Sequence, residues 1–152
     1  MSRSDQLSNA VGATLIMDQA SIVGVGSVAN QGTMTVQGGG ASAIDVPLTN
    51  LNDQIDAGTV ELRDQFTELA LSDQIVNEGA ISLGSGTTMD LLNDQLSDQL
   101  SNEVTGDLVM DQASITGPRW QIFVAPSNIR CDLIQVDINT RVGQIAVSTV
   151  RS

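Results

Sequence analysis

SDQLSNAVGATLIMDQASIVG, at residues 4–24, occurs a second time as SDQLSNEVTGDLVMDQASITG at residues 97–117. Fifteen of the 21 aligned positions are identical, at an offset of 93 residues. Identity of this extent indicates an internal duplication, and duplicated units of this size are typical of proteins whose repeats stack on one another. The repeat therefore predicts a stacked or pseudo-symmetric scaffold.

A weaker match divides the chain at half that offset. VANQGTMTVQG at 28–38 resembles IVNEGAISLGS at 75–85, an offset of 47 residues. A chain of 152 residues fits a single domain, 1–152. Within it we distinguish three units of about 46 residues, near 5–51, 52–97 and 98–144, and a C-terminal β segment at 118–152.

Most of the chain shows the patterns of β-strands and tight turns. Apolar and polar residues alternate on both sides of Asn30-Gln31-Gly32, and the pattern returns around Asn77 and Gly79. These Asn-x-Gly-x-apolar-x-apolar segments resemble the rungs of β-helical fibre and adhesin proteins. The resemblance implies a β-solenoid and carries over no functional residue.

Two segments carry apolar residues at helical spacing. In residues 61–74, Leu62, Phe66 and Leu69 would share one face of a helix. Residues 88–104 have apolar residues at intervals of three or four, which also fits a helix. The short polar elements of this second segment could instead form corners of a solenoid. Asp5 is placed to cap a short helical turn. The predicted fold class is therefore mainly β with short helices, internally repeated, built as a β-solenoid or as a pseudo-threefold β scaffold.

The charge of the chain is strongly negative and unevenly distributed. The formal net charge is −12. Residues 51–117 carry thirteen acidic residues against Arg63, whereas residues 118–152 carry four arginines against two aspartates. This asymmetry favours docking between copies, head to tail or laterally, although a simply solvated acidic face has the same composition. The negative charge disfavours nucleic acid as a partner.

The residue types needed for most catalytic and metal sites are missing. The sequence has no His and one Cys, Cys131, which excludes Ser-His-Asp and Cys-His catalysis, the usual zinc sites and thiol redox pairs. The carboxylate pairs that remain are Asp94 with Asp98 and Glu61 with Asp64. Such pairs can hydrolyse glycosidic bonds, but the aromatic residues that bind sugars make up only 2% of the chain. We therefore assign no catalytic residue and interpret Cys131 as a small buried hydrophobic residue.

Two motifs resemble cofactor or metal sites in part. Gly24-x-Gly26-x-x-Ala29 follows an apolar strand, as in dinucleotide-binding fingerprints, but a β-alternation stands where the fingerprint requires a helix. We interpret this motif as a tight turn between strands. At 53–58, the oxygen ligands do not fall at the alternate positions of a helix-loop-helix calcium loop. No cofactor and no metal are expected.

The dipeptide Asp-Gln is the most frequent local motif. It begins at Asp5, Asp18, Asp53, Asp64, Asp73, Asp94, Asp98 and Asp111. Its position after short apolar segments favours turns, in which the Asp carboxylate accepts backbone N–H groups. Gln side chains could also form ladders between stacked coils.

The expected function is structural and self-associating, without catalysis. The most concrete version is a virion component, such as a capsid decoration, turret or fibre-base protein, made in the host cytoplasm and assembled as a symmetric homo-oligomer, a trimer, beside other structural proteins. The first alternative is an adhesin or matrix protein of the extracellular surface, exported without a cleaved signal. The second is a carbohydrate-binding module. Residues 1–19 lack the apolar segment of a secretory signal, and no run of about 18 apolar residues predicts membrane insertion.

Overall fold

In the computed structural model the chain winds into successive turns of one β-solenoid. The described residues are 5–93, 100–103, 105–117, 121–124, 129–131 and 144–146, and side chains are described as far as residue 117. Each of the first five turns contributes one strand to each of three parallel sheets. Of the two scaffolds that the sequence predicts, the protein therefore has the β-solenoid.

The strands follow one another in the same order in every turn. Turn 1 consists of β1 (Asp5–Asn9), β2 (Thr14–Asp18) and β3 (Ser21–Ile22). Turn 2 consists of β4 (Gly26–Asn30), β5 (Thr33–Gln37) and β6 (Ala41–Ile44), and turn 3 of β7 (Leu48–Asn50), β8 (Thr59–Leu62) and β9 (Glu68–Leu71). Turn 4 consists of β10 (Ile75–Asn77), β11 (Ala80–Leu83) and β12 (Thr88–Leu91), and turn 5 of β13 (Leu100–Asn102), β14 (Asp107–Met110) and β15 (Ser114–Thr116). The remaining described strands are β16 (Gln121–Val124), β17 (Ile129–Cys131) and β18 (Gln144–Ala146).

Pairing between strands joins each turn to the next. The first sheet has the order β1-β4-β7-β10-β13-β16-β18, the second β2-β5-β8-β11-β14-β17 and the third β3-β6-β9-β12-β15. Every pair of neighbouring strands is parallel, for example Val28 opposite Leu48 and Leu48 opposite Ile75. Parallel pairing in register places like residues above one another, so each inward position becomes a column that runs through the solenoid.

The core consists of aliphatic and methionine side chains stacked in these columns. In β9, for example, Leu69 and Leu71 are 0% and 1% exposed while their neighbours face outward. This period-two burial recurs along the strands of turns 3 to 5 and fills the interior with Val, Ile, Leu and Met. An interior lined by short strands is narrow, which agrees with the scarcity of large aromatic residues in the sequence.

The prediction of short helices is wrong for the described residues, which are entirely strand, turn and loop. Residues 61–74 contain the end of β8, a corner and β9, and Phe66 lies on that corner with 74% of its side chain exposed. This segment forms strands rather than a helix for two reasons. Its buried residues alternate with outward ones, and they are Val60, Leu62, Leu69 and Leu71. In addition, β8 and β9 each pair with a parallel strand on both sides.

The second predicted helix, 88–104, instead contains β12 and β13. In β12, Met89 and Leu91 are fully buried, whereas Leu92, which belongs to the helical stripe, is 49% exposed. Asp5 lies in β1 rather than at a helix cap, and its counterpart Asp98 falls outside the described residues. No helix long and apolar enough to cross a membrane is found in the described part of the chain.

A ladder of buried asparagines holds the corner between the first and second sheets. Each side-chain N–H donates to the side-chain oxygen of the asparagine one turn later, at 2.7, 2.7, 2.7 and 2.6 Å. The members, at intervals of 21, 20, 27 and 25 residues, are Asn9, Asn30, Asn50, Asn77 and Asn102. The offset of 93 residues in the sequence therefore spans four turns, and the offset of 47 spans two.

The corner between the second and third sheets explains why the sequence repeats over two turns. Turns 1, 3 and 5 place Asp-Gln there, at 18–19, 64–65 and 111–112, while turns 2 and 4 place glycine-rich segments there. A Cβ on Gly38 would lie 2.1 Å from the Oδ1 of Asp18, and one on Gly86 would lie 2.8 Å from the Cγ of Gln65. Large polar corners thus alternate with small, glycine-rich corners, because adjacent corners cannot both be large.

Candidate functional site: the N-terminal end of the solenoid

Turn 1 leaves four of its six inward side chains partly exposed, while Asn9 and Met17 are buried. Leu7 faces the same way as the fully buried Val28 of turn 2, yet 43% of its side chain is exposed. Leu15, Ala20 and Ile22 pack against the core but are only partly buried. Strands β1, β2 and β3 are the terminal strands of the three sheets at this end, so one edge of each has no neighbouring strand among the described residues.

The same inward side chains are covered in turn 5. All six inward positions of turn 1 carry the residue found 93 positions later. The six pairs are Leu7 and Leu100, Asn9 and Asn102, Leu15 and Leu108, Met17 and Met110, Ala20 and Ala113, and Ile22 and Ile115. In turn 5 they are between 0% and 5% exposed, because turn 4 lies on them. The N-terminal end is therefore a stacking surface whose chemistry the protein already buries elsewhere.

The asparagine ladder is also incomplete at this end. The Asn9 side-chain N–H donates to Asn30 Oδ1 at 2.7 Å and to the Thr33 carbonyl at 3.0 Å. No donor among the described residues reaches Asn9 Oδ1, although only 7% of Asn9 is exposed. In turn 5, the oxygen of Asn102 receives an N–H from Asn77 at 2.6 Å. The Asn9 oxygen at the end of turn 1 thus lacks the asparagine donor that its counterpart in turn 5 has, and water can reach it.

A shallow cleft of about 310 Å³ opens beside β1. Its lining combines the exposed apolar side chains of Leu7, Val23 and Val25 with backbone around Gly24. Val23 and Val25 are 66% and 85% exposed. The cleft extends the apolar surface of the end rather than adding a separate group of charged residues.

Of the carboxylates considered as catalytic pairs, Glu61 and Asp64 make structural contacts. Glu61 forms an ion pair with Arg63, and Asp64 Oδ2 accepts the N–H of Gly38 at 3.0 Å. Asp94 and Asp98 lie outside the described residues. The described pair therefore shows no arrangement of two free carboxylates around a common site.

The glycine motif at 24–29 lies between β3 and β4, and a strand rather than a helix follows it. Asp45, which lies 19 residues after Gly26 where a dinucleotide-binding fingerprint would place its acidic residue, accepts a hydrogen bond from the Ser72 hydroxyl at 2.6 Å. Cys131 ends β17, where its backbone pairs with Met110, and its side chain lies outside the described part. No group of three or more Cys, Asp or Glu residues that could hold a metal ion occurs among the described residues.

The Asp53 carboxylate organises the loop between β7 and β8. Its Oδ1 accepts the backbone N–H of Asp56 at 2.8 Å and that of Ile55 at 3.1 Å. These two bonds, from Asp56 first and Ile55 second, hold the pKa of the Asp53 carboxyl below its ordinary value of 3.8. The loop weighed as a calcium site therefore uses this carboxylate to bind its own backbone.

This arrangement predicts a pH effect confined to the loop. A lowered folded-state pKa means that the carboxylate contributes stability above its ordinary pKa and loses it as pH falls through the lower folded value. We expect the amide proton of Ile55, which donates to Asp53 and belongs to a residue with no ionisable side chain, to shift with a midpoint below pH 3.8 in a two-dimensional NMR titration. In Asp53→Asn, which keeps an oxygen acceptor but does not titrate, that transition should be absent. A midpoint at or above 3.8 would contradict the assignment.

The sequence alone assigns no site residue and does not predict the partly exposed end of turn 1, although the duplication contains the residues that form it. All six inward positions are among the identical residues of the 4–24 duplication. The identity alone does not reveal that one copy is covered and the other is not. Comparison of the chain with protein-family models, curated proteins and solved structures finds no match.

Proposed function

We propose that this protein is a structural, self-associating component of a larger assembly, without catalysis. The observation that carries the proposal is the continuous asparagine ladder. Buried side-chain amides bond to one another and to backbone carbonyls of the following turn, for example Asn30 to Thr59 and Asn77 to Asp107. Such a network fixes the register and spacing of the turns, as a rigid scaffold requires.

The outward faces support association between copies. On the third sheet, one outward row runs in register through all five turns and consists of Ser21, Ala43, Ala70, Asp90 and Thr116. Four of these five side chains are Ser, Ala or Thr, which lose little rotamer freedom when they are covered. Docking on such a face therefore carries a small ordering cost.

The most concrete form of the proposal is a virion component that acts as a capsid decoration, turret or fibre-base protein. It would be made in the host cytoplasm and assemble as a homotrimer beside other structural proteins. Support comes from the solenoid architecture, which suits elongated assembly parts, and from the net charge of −12, which disfavours packing on nucleic acid. A role on the extracellular surface would use the same scaffold.

Light scattering on a sizing column tests this proposal. At low and at molar salt we expect one discrete species near three times the chain mass of 15.9 kDa. Persistence at molar salt is expected because contacts made mostly by uncharged side chains are screened less than contacts between exposed charges. A monomer in both buffers would contradict self-association and would favour the binding-module alternative.

A further inference from the structure

The outward face of the first sheet is uncharged throughout the described residues of turns 1 to 5. Its central row runs in register through these turns and consists of Ser8, Ala29, Thr49, Val76 and Ser101. The other outward positions of these strands are Gln6 and Ser27. The second and third sheets each have acidic residues at outward positions. These are Glu61 and Asp107 on the second sheet and Glu68 and Asp90 on the third. In a chain with a net charge of −12, the first sheet is therefore the face on which two copies repel each other least.

Exposed aliphatic side chains lie along both borders of this face. Strands of the first sheet begin at one corner, here called the entry corner, and end at the corner held by the asparagine ladder, here called the ladder corner. The described residues of the entry corner are 23–25, 45–47, 72–74 and 92–93. At this corner Val23, Val25 and Leu92 are 66%, 85% and 49% exposed. At the ladder corner Val11 and Ile55 are 47% and 88% exposed. Singly such residues are ordinary, but their alignment on both borders extends the uncharged face with apolar surface.

At the ladder corner, Ile55 belongs to a loop whose backbone is already ordered. The loop, residues 51–57, connects β7 to β8 in turn 3. Besides the two bonds to the Asp53 carboxylate, the Gly58 N–H donates to the Leu51 carbonyl at 2.7 Å across the base of the loop. An ordered loop loses little conformational freedom when it binds, so Ile55 is presented as an apolar anchor at low entropic cost.

The cleft beside β1 opens at the entry corner, on the opposite border of the same face. Its volume of about 310 Å³ admits an aliphatic side chain, and its wall includes Val23, Val25 and Val46. Val46 comes shortly before β7 and the loop at 51–57 comes directly after β7, so both belong to turn 3. An apolar anchor and an apolar cleft therefore lie at the two ends of one strand, at the same level of the solenoid.

We propose that three copies associate around a threefold axis through the outward faces of their first sheets, with Ile55 of each copy docked in the cleft of the next. Rotation about an axis parallel to the solenoid places the ladder corner of one copy beside the entry corner of its neighbour. This rotation involves no shift along the solenoid, so residues of the same turn meet, and the ring closes after three copies. The inference rests on the proposed self-association and adds the location of the contact. It leaves the small-residue row of the third sheet outside the ring, available to the other components of the assembly.

A charge placed on the first sheet tests the face, with mass measured by light scattering over a range of protein concentration. Val76→Asp is expected to give a monomer where the unmodified chain is a trimer, because the ring would bury three unpaired carboxylates. The matched control is Ala70→Asp, which adds the same charge to the outward row of the third sheet and should leave the trimer intact. Circular dichroism should show β-structure in both variants. Dissociation of Ala70→Asp while Val76→Asp stays trimeric would place the contact on the third sheet and overturn the inference.

A charge exchange tests the pairing of the loop with the cleft. Ile55→Arg and Val25→Asp should each raise the concentration needed for half-assembly at least about tenfold, because each places a charge at an apolar contact. The double variant should recover most of this loss at low salt, because opposite charges then meet across the contact. Ile16→Arg is the control, since Ile16 is 58% exposed on the outward face of β2 and lies outside the ring. A double variant that associates as weakly as the single variants would overturn the docking of Ile55 in the cleft.

Salt dependence provides a further test, because exposed carboxylates lie on both borders of the face. Asp45 lies at the entry corner and Asp56 at the ladder corner. Molar salt screens their repulsion and should lower the concentration at which the trimer forms. A trimer that molar salt weakens would overturn this arrangement.

The remaining outcomes separate this inference from the proposed function. A trimer that persists in both Val76→Asp and Ile55→Arg would overturn the location of the contact and leave the structural role intact. A monomer of the unmodified chain at every concentration would overturn both the proposed self-association and the contact inferred from it.

Discussion

Replacing Asn50 by alanine is expected to lower the free energy of unfolding by about 3–5 kcal/mol, against a total of roughly 5–15 kcal/mol for a typical domain. Asn50 is fully buried in the middle of the ladder. Its side chain accepts from Asn30 at 2.7 Å and donates to Asn77 Oδ1 at 2.7 Å and to the Gly58 carbonyl at 2.9 Å. Alanine would leave one N–H of Asn30 and the oxygen of Asn77 buried without partners, and would add a cavity.

Urea unfolding followed by circular dichroism measures this loss. Thr49→Ala is the matched control, because Thr49 precedes Asn50 in β7 and faces outward, and its replacement should change stability by less than about 1 kcal/mol. Asn9→Ala should lower stability less than Asn50→Ala, because Asn9 is the first member of the ladder and water can reach the gap. Equal losses for Asn9 and Asn50 would mean that the ladder does not act as a connected column.

The solenoid could be predicted from the sequence because its main requirement is repetition. Identity between 4–24 and 97–117 indicated stacking, and the segments at Asn30 and Asn77 indicated a turn followed by a strand. The ladder as a whole was harder to find. Asn50 is separated from Gly58 by the inserted loop at 51–57, so the Asn-x-Gly pattern is not visible in turn 3.

The helix predictions failed because apolar residues on a corner can mimic a helical stripe. Phe66 completes a helical spacing with Leu62 and Leu69, yet it has a backbone φ of 69° and lies on the outside of the solenoid. Only the neighbouring turns decide the outcome, because β5 and β11 provide hydrogen-bonding partners on both sides of β8. Periodicity within one segment does not contain that information.

The length of one turn was hidden by the alternation at the second corner. Asp18-Gln19 and Asp64-Gln65 lie two turns apart, and the glycine-rich corner between them has a different sequence. Matching of residue types therefore detects the two-turn period before the one-turn period. The exposed N-terminal end was not predictable for a related reason, since identical residues are buried or exposed according to whether a turn precedes them.

Replacing Gly79 by alanine is expected to lower the free energy of unfolding by about 3–4 kcal/mol through steric conflict. The corner after β10 brings Gly79 close to the preceding turn, and a Cβ there would lie 2.2 Å from the Gly58 carbonyl oxygen and 2.9 Å from the Asn50 side-chain nitrogen. Turns 3 and 4 would have to separate. That separation would stretch both the Asn50–Asn77 bond and the bond from the Ala80 N–H to the Gly58 carbonyl, now 2.9 Å.

Gly12→Ala is the matched control, because it separates crowding from backbone strain. Gly12 has a φ of +75°, but a Cβ at this position would have no atom within 4 Å. Its replacement should therefore lower stability only by the strain of a left-handed residue, about 1–2 kcal/mol. Gly79 has no such strain, so any loss beyond the control measures how closely the turns are stacked. If urea unfolding shows Gly79→Ala to be no less stable than Gly12→Ala, the turns are not held at the spacing that the asparagine ladder requires.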